Sequence, residues 1–252
     1  MRRGFLQTAA CWMTAMLGPD QLKAGEASTA QPASGLEETD TSNLDLFSFG
    51  DVELAGRAIT PVDLGELVVQ SGRIRACDPL AYPDYPPLKR QISPGRYPVR
   101  IYFAFGRVAA ASMRLAPGIP VSWELAEVEP SDTYGATPYA GMCPVDAGMA
   151  GFMDADTYAQ MERRIAKVEA DTGDKNVNYY DDVVAAEVAV NDDEWTLHQP
   201  MDDSDLNVAI FHSGWGDGAY PVLWGLSTGG NALVLFTDFT VMKNADGRKE
   251  PE

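Results

Sequence analysis

The amino-acid sequence predicts an α+β fold, a mainly antiparallel and sandwich-like β-sheet with a helical pair inserted between two groups of strands. Three observations carry the prediction. Short β-rich runs bounded by glycine and proline occur both early and late in the chain, and in Tyr97–Phe105 the apolar residues recur at period two. Between Asp154 and Val190 the period lengthens to that of a helix. Strands and helices do not alternate as βαβ units, which excludes a parallel doubly wound sheet.

The elements follow in order. Glu66–Gln70 and Arg73–Cys77 flank Ser71-Gly72, and two β-rich runs about a short glycine turn read as a hairpin. Asp78-Pro79 and the prolines of 82–87 then stop the ladder. In Tyr97–Phe105, Val99, Ile101, Phe103 and Phe105 alternate with Pro98, Arg100, Tyr102 and Ala104, which places the first set on one buried face. Gly106 turns the chain into an alanine-rich partner strand, Val108–Leu115, and Val121–Ala126 is a further short strand. Tyr158, Met161, Ile165 and Val168 fall at helical spacing, with Asp154 as the expected N-cap and Gly173 at the C-terminal end. A second helix is expected over 177–190. Strands return at 206–211, 220–226 and 231–242, the last two joined by the turn Thr228–Asn231.

The first residues, Met1-Arg2-Arg3-Gly4-Phe5-Leu6-Gln7, carry the paired arginines and Phe-Leu of a twin-arginine export signal. The apolar stretch behind them is too short to span a bilayer, and small residues near Ala27 and Ala30 offer cleavage sites. The alternatives are an amphipathic N-terminal helix and a lipoprotein lipidated at Cys11. The expected organisation is a signal peptide over 1–27, a flexible leader over 28–43, a single domain over 44–242 and a polar tail over 243–252. Export to the periplasm or the medium follows. Arg2, Arg3 and Lys23 against Asp20 and Glu26 give residues 1–27 a net charge of +1, so the rest of a chain at −18 carries −18 − 1 = −19. Such a surface repels phosphates and anionic lipids, which argues against nucleic acid and against membrane insertion of the mature chain. It suits a basic protein or peptide, or cations. Cys77 and Cys143 remain after cleavage and are a candidate disulfide, worth about 4–5 kcal/mol in the chain-entropy model, the alternative being two buried thiols.

Two stretches carry the candidate chemistry, Val145–Asp154 (VDAGMAGFMD) and Ser213–Tyr220 (SGWGDGAY). Together with Ser71-Gly72-Arg73-Ile74, Asp78-Pro79, Pro94–Val99 and Asp238-Phe239 they resemble the bacterial domain of unknown function 4241 (DUF4241) family over about residues 62–242. Members share the Asp-Ala-Gly segment ending in Phe-Met-Asp and the later glycine–aspartate loop. Many carry a cysteine before the Phe-Met-Asp; Gly151 stands there in this chain, so no catalytic thiol is carried over. The resemblance implies a fold and brings no activity with it.

The residues themselves offer several readings. Gly214, Gly216 and Gly218 free the backbone around Asp217 for left-handed angles. That loop is either a ligand site, with Asp146, Asp154, Trp215, Tyr220 and Asp238, or a hairpin turn whose aspartate bonds its own amides. Asp146, Asp154 and Asp217 are candidate oxygen ligands for calcium in a metal-assisted hydrolase, although no EF-hand spacing occurs. His212, Ser213 and Asp217 do not form a catalytic triad, because strand neighbours point to opposite faces, and no Gly-x-Ser-x-Gly elbow occurs. Trp123, Trp215 and Trp224 with the nearby tyrosines line a groove or pack the core. Asp192–Glu194 and Asp202, Asp203 and Asp205 flank His198, as a solvated loop or as the contact surface for a basic partner. The leading functional expectation is a non-enzymatic, immunity-like binding module.

Overall fold

The computed structural model describes residues 44–134 and 141–242. The expected signal peptide, leader and polar tail lie outside the described residues.

A 3-10 turn, Leu44–Ser48, and a short helix α1, Asp51–Gly56, precede β1, Ile59–Val69. Then come β2, Ile74–Cys77; β3, Gly95–Ala104; β4, Arg107–Arg114; β5, Ser122–Leu125; β6, Met142–Val145; and β7, Met149–Asp154. Helix α2, Thr157–Thr172, is followed by a π-helical turn, Tyr180–Val184, that runs on into α3, Ala185–Ala189. The chain closes with β8, Trp195–His198; β9, Val208–His212; β10, Gly218–Leu226; and β11, Ala232–Asp238.

A seven-stranded sheet runs β1-β3-β4-β11-β10-β5, with β6 pairing the first half of β10, and a four-stranded sheet runs β2-β7-β9-β8. Every pairing is antiparallel. The sheets face each other through β1, β4 and β6 on one side and β2, β7, β8 and β9 on the other. Between them lies one hydrophobic core that takes in Val99, Ile101, Met113, Phe152, Phe211 and Leu235. On the opposite face of the large sheet the 3-10 turn lays Phe47 against Tyr102, Trp123 and Phe236. Strand β4 is therefore covered on both faces, and Val108–Met113 is buried as a continuous run without alternation. The α+β, mainly antiparallel expectation holds.

Three local expectations are corrected. Residues 66–77 are not a hairpin: β1 pairs with β3 in the large sheet and β2 with β7 in the small one, so Ser71-Gly72 is where the chain passes between sheets. The β3 alternation holds at Val99 and Ile101 and then fails. Tyr102 and Ala104 are buried too, Tyr102 under Phe47 of the 3-10 turn, while the register to β4 shifts between Tyr102 and Phe103 and Phe105 is 67% exposed at a left-handed turn. Asp154 is not the N-cap of α2; it ends β7, and Asp156 stands at the cap without a side-chain bond. Gly173 closes α2 as expected, in the left-handed conformation with its N–H on Glu169 O. The second helical segment starts later than expected because Asn178 Oδ1 accepts the N–H groups of Tyr180 and Asp181.

Candidate functional site

The two motif-bearing stretches meet. Strands β6 and β10 pair in the large sheet, and their continuations β7 and β9 pair in the small one. Both strands of one ribbon thus change sheets at the same corner, with Asp146–Gly148 opposite Ser213–Asp217. Gly218 is the register partner of Val145 on one side, and His212 of Met149 on the other. Three residues face five, so the corner is a large bulge, and bonds between the two loops hold it. Ser213 N and Oγ both donate to Gly148 O (3.1 and 3.0 Å), Ser213 Oγ also reaches Gly216 O (2.6 Å), and Gly148 N donates to Asp217 Oδ1 (3.0 Å). Tyr220 Oη donates to Gly216 O at 2.9 Å, and its ring packs edge-on against Phe239. Gly214 has φ 72°, and a Cβ there would lie 2.7 Å from Val108 O and 3.0 Å from Phe239 Cβ, so only glycine fits.

Asp217 is therefore neither a hairpin residue nor a self-bonded turn. It is exposed and ties its loop to the facing one. Trp215 is half-buried under the Arg107 guanidinium, 4.6 Å from its ring, while Arg107 also donates to Gly214 O. The Trp215 indole N–H is buried without a hydrogen-bond partner among the described residues. Asp238 ends β11 beside this corner and accepts the N–H of Thr240 at 2.7 Å.

Two buried aspartates add clamps, Asp154 at the crossing from β1 to β2 and Asp78 at the same corner. Asp154 Oδ2 accepts Gln70 N, Ser71 N and Ser71 Oγ (2.8, 2.8 and 2.9 Å), and its Oδ1 accepts Asp156 N at 2.8 Å. Those donors are the turn by which β1 leaves the large sheet. Asp78 Oδ1 accepts the N–H groups of Leu80 and Ala81, and its Oδ2 those of Asp146 and Ala147. Burial pushes the Asp78 carboxyl up, against the opposing pull of the four amides. Sequence reasoning read Asp78 as a strand stop and as part of a motif of the resembled family, and gave it no site role. Its signal was Asp-Pro itself: Pro79 lies 3.1 Å from where a Cβ on Gly151 would sit, and Ala209 O is 2.7 Å away. Position 151 has no room for a side chain.

The proposed oxygen-ligand set does not come together. Asp146 and Asp217 lie at one end of β7 and Asp154 at the other, roughly 16 Å along the strand at its usual rise. Both Asp154 oxygens are occupied by N–H and O–H donors. Among the described residues no group of three or more His, Cys, Asp or Glu is arranged to hold a metal ion. Cys77 and Cys143 are separate buried thiols, and burial pushes both well above the usual thiol range. Asp78 N donates to Pro144 O, so their strands run side by side without a bond between the sulfurs.

Sequence reasoning also missed the surroundings of His198. Its acidic partner is Glu187 of α3, not Asp202, Asp203 or Asp205. His198 is 2% exposed, with Nδ1 2.9 Å from Glu187 Oε2 and Nε2 2.9 Å from Tyr179 Oη. Burial pushes the Glu187 carboxyl up, but His198, the Thr196 hydroxyl and Arg164 outweigh it and hold the group below its usual range. No sequence spacing joins residues 179, 187 and 198; packing of α3 on β8 does. Charge is segregated around this edge of the small sheet. Between Lys175 and Lys243 there is no lysine or arginine, against eleven carboxylates: Asp181, Asp182, Glu187, Asp192, Asp193, Glu194, Asp202, Asp203, Asp205, Asp217 and Asp238. Asp203 pairs with Arg163, Asp205 with Arg96 and Glu187 with His198. Asp181, Asp182, Asp192, Asp193 and Asp202 are exposed and form no ion pair with a described residue.

The class so defined is an antiparallel two-sheet α+β protein whose sheet crossings are clamped by aspartates and serine. A family model described as "Protein of unknown function (DUF4241)" matches residues 67–237, which take in both motif loops and all three clamps. The chain belongs to that family. No curated protein matches it, and no solved structure does.

Proposed function

We propose that this is an exported, acidic, non-enzymatic binding module whose partner is a basic protein or peptide, in the manner of immunity-type inhibitors. The observation that carries the reading is the run between Lys175 and Lys243 without a lysine or arginine, in which five exposed carboxylates without an ion pair among the described residues gather around α3 and the edge strand β8. Cations elsewhere are spent on carboxylates of other elements, as in Arg73–Glu129, Lys89–Glu127 and Arg100–Asp63. A face left uncompensated steers a basic partner and fixes its register. The glycine–aspartate corner supports the reading from the other side, because its polar groups are committed to holding the sheets and supply no nucleophile with a base. Export rests on the twin-arginine pattern of Arg2-Arg3 and Phe5-Leu6.

Fluorescence anisotropy with a labelled lysine–arginine peptide tests this. Changing Asp181, Asp182, Asp192 and Asp193 to Asn should weaken binding far more than changing Glu53, Glu124, Glu127 and Asp132 to their amides. Binding should also fall steeply as salt shortens the Debye length from about 30 Å at 0.01 M to about 8 Å at 0.15 M. Equal losses in the two sets would mean generic polyanion behaviour and would sink the assignment of this face.

A further inference from the structure

The face of the large sheet that carries the N-terminal turn also holds a cavity of about 260 Å³. Arg100 and Ser112 are register partners on β3 and β4; Tyr102 and Arg114 lie two residues further along the same strands, and so on the same face. All four line the cavity, with Phe47 as a wall and the exposed Asp63 and Pro98 at the rim.

The two arginines differ. Arg100 is satisfied: Asp63 takes its Nε and Nη2, and Asp51 its Nη1. Arg114 forms no ion pair with a described residue; its Nη1 donates to Gly118 O at 3.0 Å and its guanidinium lies 5.3 Å from the Phe47 ring centre. The Tyr102 and Ser112 side chains are more than nine-tenths buried, yet their hydroxyls meet only each other, at 3.4 Å, the outer limit of a hydrogen bond. Among the described residues, one guanidinium without an ion pair and two under-used hydroxyls converge on a space left unfilled.

We propose that this cavity binds a small organic monocarboxylate, its carboxylate held by Arg114 and the Tyr102 and Ser112 hydroxyls and its apolar body against Phe47 and Pro98. A guanidinium fork matches a carboxylate. Doubly charged phosphate is disfavoured, because Asp63 and Asp51 already cancel Arg100 and stand nearby. The volume falls just below the range of about 300–1,000 Å³ typical of drug-sized ligands, so the ligand is small. This site is separate from the acidic face and sets two guanidinium groups, Arg100 and Arg114, against two carboxylates, Asp51 and Asp63, and either proposal can fail without the other.

The test is an amide-shift NMR titration with benzoate, using benzyl alcohol and inorganic phosphate as comparison probes. Benzoate should bind saturably in the millimolar range and shift amides of β3, β4 and the 3-10 turn. Arg114→Gln should weaken it by about tenfold or more. Tyr102→Phe, which removes one oxygen and keeps the ring, should weaken it several-fold and decides the matter should Arg114→Gln fail to fold. No saturable shift with benzoate, equal affinity for benzyl alcohol, tighter binding of phosphate, or unchanged affinity in a folded Arg114→Gln protein would each overturn the proposal.

Discussion

Replacing Asp154 with Asn tests whether this aspartate is a clamp or a ligand. The carboxylate is fully buried and accepts four donors, three on Oδ2 and one on Oδ1. An asparagine keeps one oxygen, which will occupy the three-donor position, and turns an NH2 toward the Asp156 N–H. One bond to a charged acceptor is lost, worth about 1.5–3 kcal/mol, and the other three become neutral bonds of about half the strength. Gln70 and Asp156 are exposed, so water replaces part of the loss. The expected destabilisation is about 3 kcal/mol, or roughly 6–12 °C in Tm for a domain of this size. Urea unfolding followed by tryptophan fluorescence reads it as a lower midpoint at unchanged slope. Asp217→Asn is the internal control: it is exposed and accepts one bond, so it should cost under about 1 kcal/mol. The reasoning fails if Asp154→Asn costs less than Asp217→Asn. It fails equally if EDTA lowers and calcium raises the Tm of the parent protein but not of the Asp154→Asn variant, which would make the residue a cation ligand.

Gly214→Ala should cost about 2–4 kcal/mol by thermal melting, since it adds a Cβ 2.7 Å from Val108 O in a left-handed conformation. The folded Glu187 carboxyl lies below its unfolded value of about 4.3, so its contribution is present above that pH and lost as pH falls through the folded value. Glu187→Gln should therefore flatten the stability profile in that acidic interval; the side chain is 45% exposed, so the effect will be a few tenths of a kcal/mol. Iodoacetamide should label neither Cys77 nor Cys143 in the native protein and both after unfolding without reductant. Labelling of neither after unfolding would show a disulfide instead.

The sequence reading succeeded where a pattern is local. The alternation through Val99 and Ile101, the short apolar runs of β4, β10 and β11, the helical spacing of α2 and its Gly173 stop are each written in a dozen residues or fewer. It failed where partners are distant. Ser71-Gly72 looks like a hairpin turn to any local rule, and only the competition of β3 for β1 and of β7 for β2 makes it a crossing. Strand β8 was read as part of an acidic loop, because Trp195–His198 is too short to show a period and gains its identity from pairing with β9.

The candidate site divides the same way. The sequence alone determines a strongly acidic chain, the residue types at the corner, and membership in the family. Tertiary structure decided what those residues do. Backbone N–H groups at a sheet crossing have no ladder partner and must find an acceptor, and Asp78, Asp154 and Asp217 stand where the crossings are. The carboxylates that looked like a ligand set are divided between two such points, Asp146 and Asp217 at the corner and Asp154 at the turn by which β1 leaves its sheet. The same packing brings Glu187 and Tyr179 to His198 and Phe47 over Arg114, pairings that depend on how sheets stack and not on any spacing along the chain.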